Sequence, residues 1–400
     1  MIRLRRLPIH LVYVILTIVT PATAFAIPQY SLLSGNRCSA CHVAPAGGGL
    51  RSELGWYSWN DVSMIPRDAQ PLKALFAGDD SNTFFDGLLT LGMDMRLQNT
   101  RSFYRDSAER TTFPMQAALY AAITPIKALT IEGSYNLAAL RKESGATSTA
   151  RFPGQRDGHL SAIIYPDSSG YSLRVGLFRP GVGMRYDDHT MFPYSYVTST
   201  ARQTYLAPNW SEFGAEFTYE TPLWLTAQAG IFGSEGLSQV RLNDGTHSHS
   251  AVSGSAPTLT GRVIFWPRAL DDKLNMYVGT GLLVNGGFSI VNSFAGIGLT
   301  DNLALMLDYT QTSRKDIQTS RNFMAELMWQ VWSPALLYAR WERGATTFAQ
   351  AADEAVVYSA VLGAQLFVLP YVELRPEYRI WDTMLDGRTT RWNVQLHIFY

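Results

Sequence analysis

The chain reads as an all-β protein, a transmembrane antiparallel β-barrel of about sixteen strands with a small N-terminal c-type haem domain, and three observations lead to the barrel. Of its 400 residues 46% are apolar and 12% aromatic, yet only 16% are charged, against about 25% in ordinary soluble domains. Either a very large dry core or lipid must cover that apolar surface. Long stretches alternate apolar and polar side chains with period two, the signature of strands. Short turns alternate with long polar connections, the pattern of outer-membrane barrels.

At the N-terminus Arg3, Arg5 and Arg6 form a positive region, Leu11 to Val19 an apolar one, and Ala24-Phe25-Ala26 a small-residue cleavage site. These are the parts of a secretory signal peptide. The apolar part is too short to span a bilayer, which takes about 20 residues. Residues 1–26 are therefore expected to be removed. With their three arginines gone, acidic side chains slightly outnumber basic ones among the 33 of each sign, and nothing points to nucleic acid.

Residues 27–80 are irregular and contain Cys38-Ser39-Ala40-Cys41-His42, which hold the only two cysteines. C-x-x-C-H is the attachment pattern for a c-type haem. Each thiol can form a thioether to a vinyl group, and the adjacent imidazole reaches the iron from the same side of the ring. A short-loop disulfide or an accidental pair is the competing reading, weakened by the export signal directly upstream. The motif is followed by Pro45, by Gly47-Gly48-Gly49 and by the aromatic patch Trp56, Tyr57 and Trp59. About fifty residues bury little core, so one covalently attached haem is a plausible stabiliser. Met64 is the nearest candidate for a second axial ligand; packing against the ring or the barrel is its other reading.

Residues 81–400 carry the alternation. Leu89, Leu91, Met93, Met95 and Leu97 share one face, opposite Thr90, Gly92, Asp94, Arg96 and Gln98. Glu212, Glu216, Thr218 and Glu220 alternate with Phe213, Ala215, Phe217 and Tyr219, and Glu373, Arg375, Glu377 and Arg379 with Val372, Leu374, Tyr378 and Ile380. The last segment sets Asn393, Gln395 and His397 against Trp392, Val394, Leu396, Ile398 and Tyr400. Charges on one face and apolar or aromatic groups on the other suit a wet lumen and surrounding lipid. Tyr120, Tyr135, Trp224, Trp266, Trp329, Trp341 and Tyr378 are expected in interfacial girdles.

Short turns at Thr124-Pro125, Thr221-Pro222, Trp266-Pro267, Thr300-Asp301-Asn302, Ser333-Pro334 and Leu369-Pro370 alternate with long connections at 100–112, 141–158, 233–257 and 344–355. Strands are expected near 84–99, 113–123, 129–140, 159–165, 171–178, 210–220, 223–232, 258–266, 273–284, 290–299, 303–312, 321–331, 335–343, 356–368, 371–380 and 390–400. Ala355 to Val372 is uncharged over 18 residues and by length could be a transmembrane helix. Its Pro370, Gln365 and β-branched content read instead as strand, turn and strand.

The longest stretch without strand pattern, 179–209, holds Arg179, Arg185, Asp187, Asp188 and His189. A loop of this length can fold into the lumen and narrow it. Asp187, Asp188 and His189 offer two carboxylates and an imidazole to a hard or borderline cation such as iron; mutual charge pairing in a solvated loop is the alternative. His247 and His249 form an H-x-H pair expected to face solvent.

An exported chain with Ala26-Ile27-Pro28-x-Tyr30, then Gly35 and Cys38-x-x-Cys41-His42, joined to such a barrel, resembles the fused monohaem cytochrome–porins of Gram-negative outer membranes, whose best-known members are iron oxidases. The likeness departs where basic leader residues are replaced by Leu32 and Leu33, and in the glycine-rich stretch from Pro45 to Arg51. It implies an outer-membrane electron-transfer protein with Cys38 and Cys41 tethering haem c and His42 as proximal ligand. The implied partners are outer-membrane lipid, a periplasmic c-type cytochrome and extracellular Fe(II). Two rivals remain: a passive solute porin with an accessory haem domain, and a periplasmic cytochrome outside the membrane.

Overall fold

The computed structural model describes residues 28–400 apart from 59–61, 77–80, 104–106, 139–153, 167–169, 187–190, 200–201, 208, 222–223, 253, 270–273 and 385–386. The expected signal peptide and the trio Asp187, Asp188 and His189 lie outside the described residues.

Sixteen long antiparallel strands make one closed barrel. They are β1 (Leu89–Phe103), β2 (Ala108–Ile126), β3 (Leu129–Asn136), β4 (Gly158–Ile164), β5 (Tyr171–Phe178), β6 (Glu212–Glu220), β7 (Leu225–Phe232) and β8 (Thr258–Phe265). Then come β9 (Leu274–Asn285), β10 (Phe288–Thr300), β11 (Leu303–Arg314), β12 (Gln318–Trp332), β13 (Ala335–Phe348), β14 (Ala355–Leu369), β15 (Val372–Thr383) and β16 (Gly387–Phe399). Each pairs with the next, and β1 closes on β16 from Asp94 opposite Phe399 to Phe103 opposite Thr390. Closure leaves no unpaired edge in lipid. The 18-residue apolar run is β14 followed by a turn into β15, and among the described residues no helix is long and apolar enough to cross a membrane.

Alternation decides the faces. Leu91, Leu97, Phe217, Leu327, Leu362 and Val394 are exposed on the outside, while Arg96, Glu216, Glu326, Glu373, Arg379 and His397 are buried inside. An inward charge must find a partner once neighbours crowd out water, and these do. Arg340 lies 3.1 Å from Glu326, Arg379 3.2 Å from Glu377, and Arg174 bonds Glu132. On β2 the parity changes at a bulge opposite Arg96 and Leu97; an extra residue there flips the facing side chains, so Phe113 and Met115 are buried as well as Ala118 and Ala122.

Three expectations change. The connection at 100–112 is mostly strand and that at 344–355 is half strand, because β1, β2 and β13 continue pairing beyond the apolar zone, where polar residues hide the period-two signal. Tyr135, Trp224, Trp329 and Trp341 are exposed as girdle residues should be, but Trp266 is buried and donates Nε1 to Thr226 Oγ1 at 3.2 Å. Tyr120 faces the lumen, and Tyr378 is half-buried on β15. Tyr400 leaves the outward row of β16 and packs against Trp56 and Tyr371, with centroids 5.8 and 5.4 Å away; beyond the last ladder pair nothing holds it to the alternation.

Residues before β1 do not form a core of their own. Tyr30, Leu32, Leu33 and Trp56 share one apolar cluster with Ile264, Tyr277, Phe294, Met328 and Phe399 of the wall. Within the expected domain at 27–80, these described side chains pack inside the barrel as a plug. Burying a Trp this fully is substantial: truncating one to Ala costs about 3–5 kcal/mol.

Candidate functional site

The plug starts with helix α1 (Pro28–Ser34), followed by the single turn α2 (Cys38–Cys41). Leu32 fits because β10 carries Gly296 and Gly298 opposite it: a Cβ on Gly298 would sit 2.4 Å from the Leu32 carbonyl oxygen. Asn275 Nδ2 donates to the same oxygen at 3.0 Å. Tyr30 donates its hydroxyl to Gln365 on β14 at 2.9 Å, whereas Arg37 and Ser39 bind Glu220 on β6 at 3.1 and 2.9 Å. β6 and β14 stand half the ring apart, so the plug bridges the full diameter.

In α2 the amide of His42 donates to the Cys38 carbonyl at 3.1 Å. One helical turn puts residues i and i+3 on one side, which is what two thioethers on one haem edge require. The chain then doubles back: Val43 N donates to Leu50 O at 3.1 Å, and Ser52 N to Cys41 O at 3.0 Å. The reversal runs through Gly47, Gly48 and Gly49 at φ +81°, +73° and +70°, a left-handed run open only to glycine at low cost. A Cβ on Gly47 would lie 2.8 Å from Cys38 Cβ, and one on Gly55 2.0 Å from Cys41 O. The glycines thus let the hairpin press on the motif. Arg51 covers the Phe399 ring at 4.4 Å, tying the hairpin to the last strand.

Both cysteines are free thiols. Burial, then the neighbouring Cys38, pushes Cys41 up to about 11, and burial raises Cys38. Neutral, desolvated thiols are poor dithiol redox centres.

Opposite the plug, the loop between β5 and β6 does fold inward. Gly181 N donates to Glu216, Tyr186 Oη to Asp308 on β11, and Phe192 N to Glu342 on β13, at 2.8, 2.8 and 2.9 Å. A second cluster, with Tyr205, Trp210, Leu237, Val252 and Phe288, packs the outer end.

Between plug and loop, against β1 to β5, lies a cavity, part of it continuous with solvent. Cys38 and His42 border it, as do Met184, Met115 and Met191 and the guanidinium-bearing residues Arg96, Arg174 and Arg185. Burial, then Arg179, pushes Arg185 down to about 10, so an anionic group beside it would be welcome. The lining suits a c-type haem: the Cys38 thiol and the His42 imidazole stand at one wall, with Cys41 buried one helical turn along, apolar and thioether side chains could face the macrocycle, and Arg185 could meet a carboxylate.

Met64 is not brought to this cavity. It is 41% exposed and absent from the cavity lining, and its amide donates to Phe367 O at 2.7 Å. His247 is exposed, as expected, and His249 is half-buried; both turn towards Asp244, with His249 Nε2 2.8 Å away. The amides of His247 and Thr246 and the His249 ring hold the Asp244 carboxyl well below the ordinary range. Among the described residues no group of three or more His, Cys, Asp or Glu is arranged to hold a metal ion.

No family model matches the chain, and no curated protein matches its sequence. Solved structures do. OprB of Pseudomonas putida is similar over 86% of this chain and 100% of its own, at TM-score 0.56 and 11% identity. The outer membrane channel DcaP of Acinetobacter baumannii matches 78% of this chain and 97% of its own, at 0.54 and 9%. At such identities the likeness establishes the barrel fold.

Proposed function

The chain is a porin-type β-barrel whose apolar outer face and closed hydrogen-bonding belong in the Gram-negative outer membrane, and we propose that it carries electrons through that membrane by a single c-type haem held in the lumen. One observation supports this most: Cys38 and His42 border a cavity inside the barrel instead of facing solvent. A bound haem would supply one-electron chemistry. Cys38 and Cys41 would hold the thioethers and His42 the proximal nitrogen, while Arg185, whose hydrogen-bond partner is the neutral Gly47 carbonyl, would neutralise a carboxylate. The plug and the packed outer loops limit water around the site. We place the plug at the periplasmic end, where the short turns and both strand termini lie; a periplasmic c-type cytochrome would meet the protein there, and extracellular Fe(II) is the donor we favour.

A solute channel is the second reading, favoured by the shared fold with OprB and with the channel DcaP. Two measurements separate them. Protein purified from outer membranes should contain one haem per chain, and dissolved Fe(II) should reduce it; attached haem that Fe(II) leaves oxidised removes iron as donor. Single-channel conductance in planar bilayers should be small and should rise when residues 27–80 are deleted, because the diameter-spanning contacts go with them. High conductance in a wild-type protein without haem would establish the solute channel.

A further inference from the structure

We propose that Met184, on the inward-folded loop, is the second axial ligand of the haem iron, an assignment that rests on the lumen-haem reading above. Its thioether is a soft donor suited to haem iron, it is 1% exposed, and it borders the same cavity as His42. The chain brings it to the motif. The next residue, Arg185, donates Nη1 to Gly47 O at 2.9 Å, and a Cβ on Gly48 would sit 2.4 Å from Arg185 Nε. Gly47 in turn presses on Cys38, so residue 184 is one step from a side chain that lies on the motif hairpin.

The backbone around Met184 is fixed from the other side as well. Arg262 on β8 donates Nη1 to Gly183 O at 3.0 Å, Tyr194 Oη donates to Met184 O at 3.1 Å, and a Cβ on Gly281 of β9 would strike Gly183 N at 2.4 Å. A ligand held by such a shell is pre-positioned. The other candidates are less well placed. Met64 lies outside the cavity; Met115 Sδ already meets Gln395 Nε2 at 2.9 Å; the amide beside Met191, on Phe192, is tied to Glu342 on the far wall; and His159, which keeps Nε2 available, stands on β4, where among the described residues no hydrogen bond ties it to the motif hairpin. With His42 on the plug and Met184 on the loop, the iron would staple the two elements that fill the lumen.

The test uses full-length protein in detergent from outer membranes. Haem staining of denatured protein reports attachment, and the long-wavelength sulfur-to-ferric-iron charge-transfer band, with CO binding to the ferrous form, reports the ligand. Wild type should show the band and bind CO poorly. Met184→Leu keeps the volume and should retain stained haem, lose the band and bind CO readily; Met184→His should stay low-spin without the band and at a lower potential. Met115→Leu, Met191→Leu and His159→Ala should keep the wild-type band. Stained haem whose band survives in Met184→Leu, or is missing from wild type, overturns the ligand assignment and leaves the haem standing. A wild-type chain without haem overturns both.

Discussion

Cys38→Ser combined with Cys41→Ser should yield a folded barrel with no covalent haem, read as loss of the peroxidase-stained band at the mass of the mature chain. The change is small in volume, so the cost to folding is chiefly that of a buried hydroxyl at position 41, where the native side chain is 2% exposed. An unsatisfied buried hydroxyl costs about 1–3 kcal/mol. Sixteen paired strands do not depend on it, and heat-modifiable gel mobility should remain that of wild type. Either single variant keeps one thioether and should stain more faintly. His42→Ala leaves both thioethers and should stain fully, but its reduced spectrum should lose low-spin character because the proximal nitrogen is gone. A stained band that survives the double substitution would show that the thiols do not attach haem.

The barrel was legible because lipid and lumen impose opposite chemistries on adjacent residues. Glu373, Arg375, Glu377 and Arg379 could share no face with Val372 and Leu374 unless a strand separated them, and the structure puts those four charges inside. The same signal failed at strand ends. Arg101, Glu109 and Arg110 stand on strands that run beyond the apolar zone, where outward residues are polar as well and the alternation in hydrophobicity disappears. Aromatic residues were misplaced for a related reason: Trp266 and Tyr120 have apolar bodies and polar tips, and those tips found partners in Thr226 and Gln116 instead of the membrane interface.

Of the candidate site, the motif was legible and its surroundings were not. Tyr30, Leu32 and Leu33 are apolar in any reading, and nothing local says that they cross the inside of a barrel. The clue was distant in sequence: Gly296 and Gly298, both on the lumen side of a strand interior, leave a hollow that only a foreign residue fills. Glycine in a strand often marks such a close approach. Leu32, one of the two leucines that stand where the resemblance leads one to expect basic residues, is the residue buried there. Met184 was invisible because axial ligands are brought together by the path of the inward loop, which no spacing encodes.

Leu362→Arg should impair folding into lipid severely, and it tests the membrane independently of haem. Leu362 is the eighth of the fifteen residues of β14 and is 61% exposed, paired with Ala339 on one side and Tyr378 on the other. It stands near the middle of the apolar band. An arginine facing hydrocarbon at the midplane costs about 2–4 kcal/mol, falling to about 0–1 near the interface. Leu396→Arg should therefore be milder, because Leu396 also faces out but lies three residues from the end of β16. Gln116→Arg is the inward control: Gln116 borders the lumen cavity and bonds Tyr120 at 3.0 Å, where a guanidinium keeps access to water. Gln395, the inward neighbour of Leu396, is a poorer control, since it is packed against Gln98 and Met115. Folding into vesicles, followed by heat-modifiable mobility across a urea series, should rank the variants with Leu362→Arg lowest, Leu396→Arg next and Gln116→Arg close to wild type. Equal midpoints for Leu362→Arg and Gln116→Arg, or wild-type folding without any amphiphile, would mean that no hydrocarbon surrounds β14.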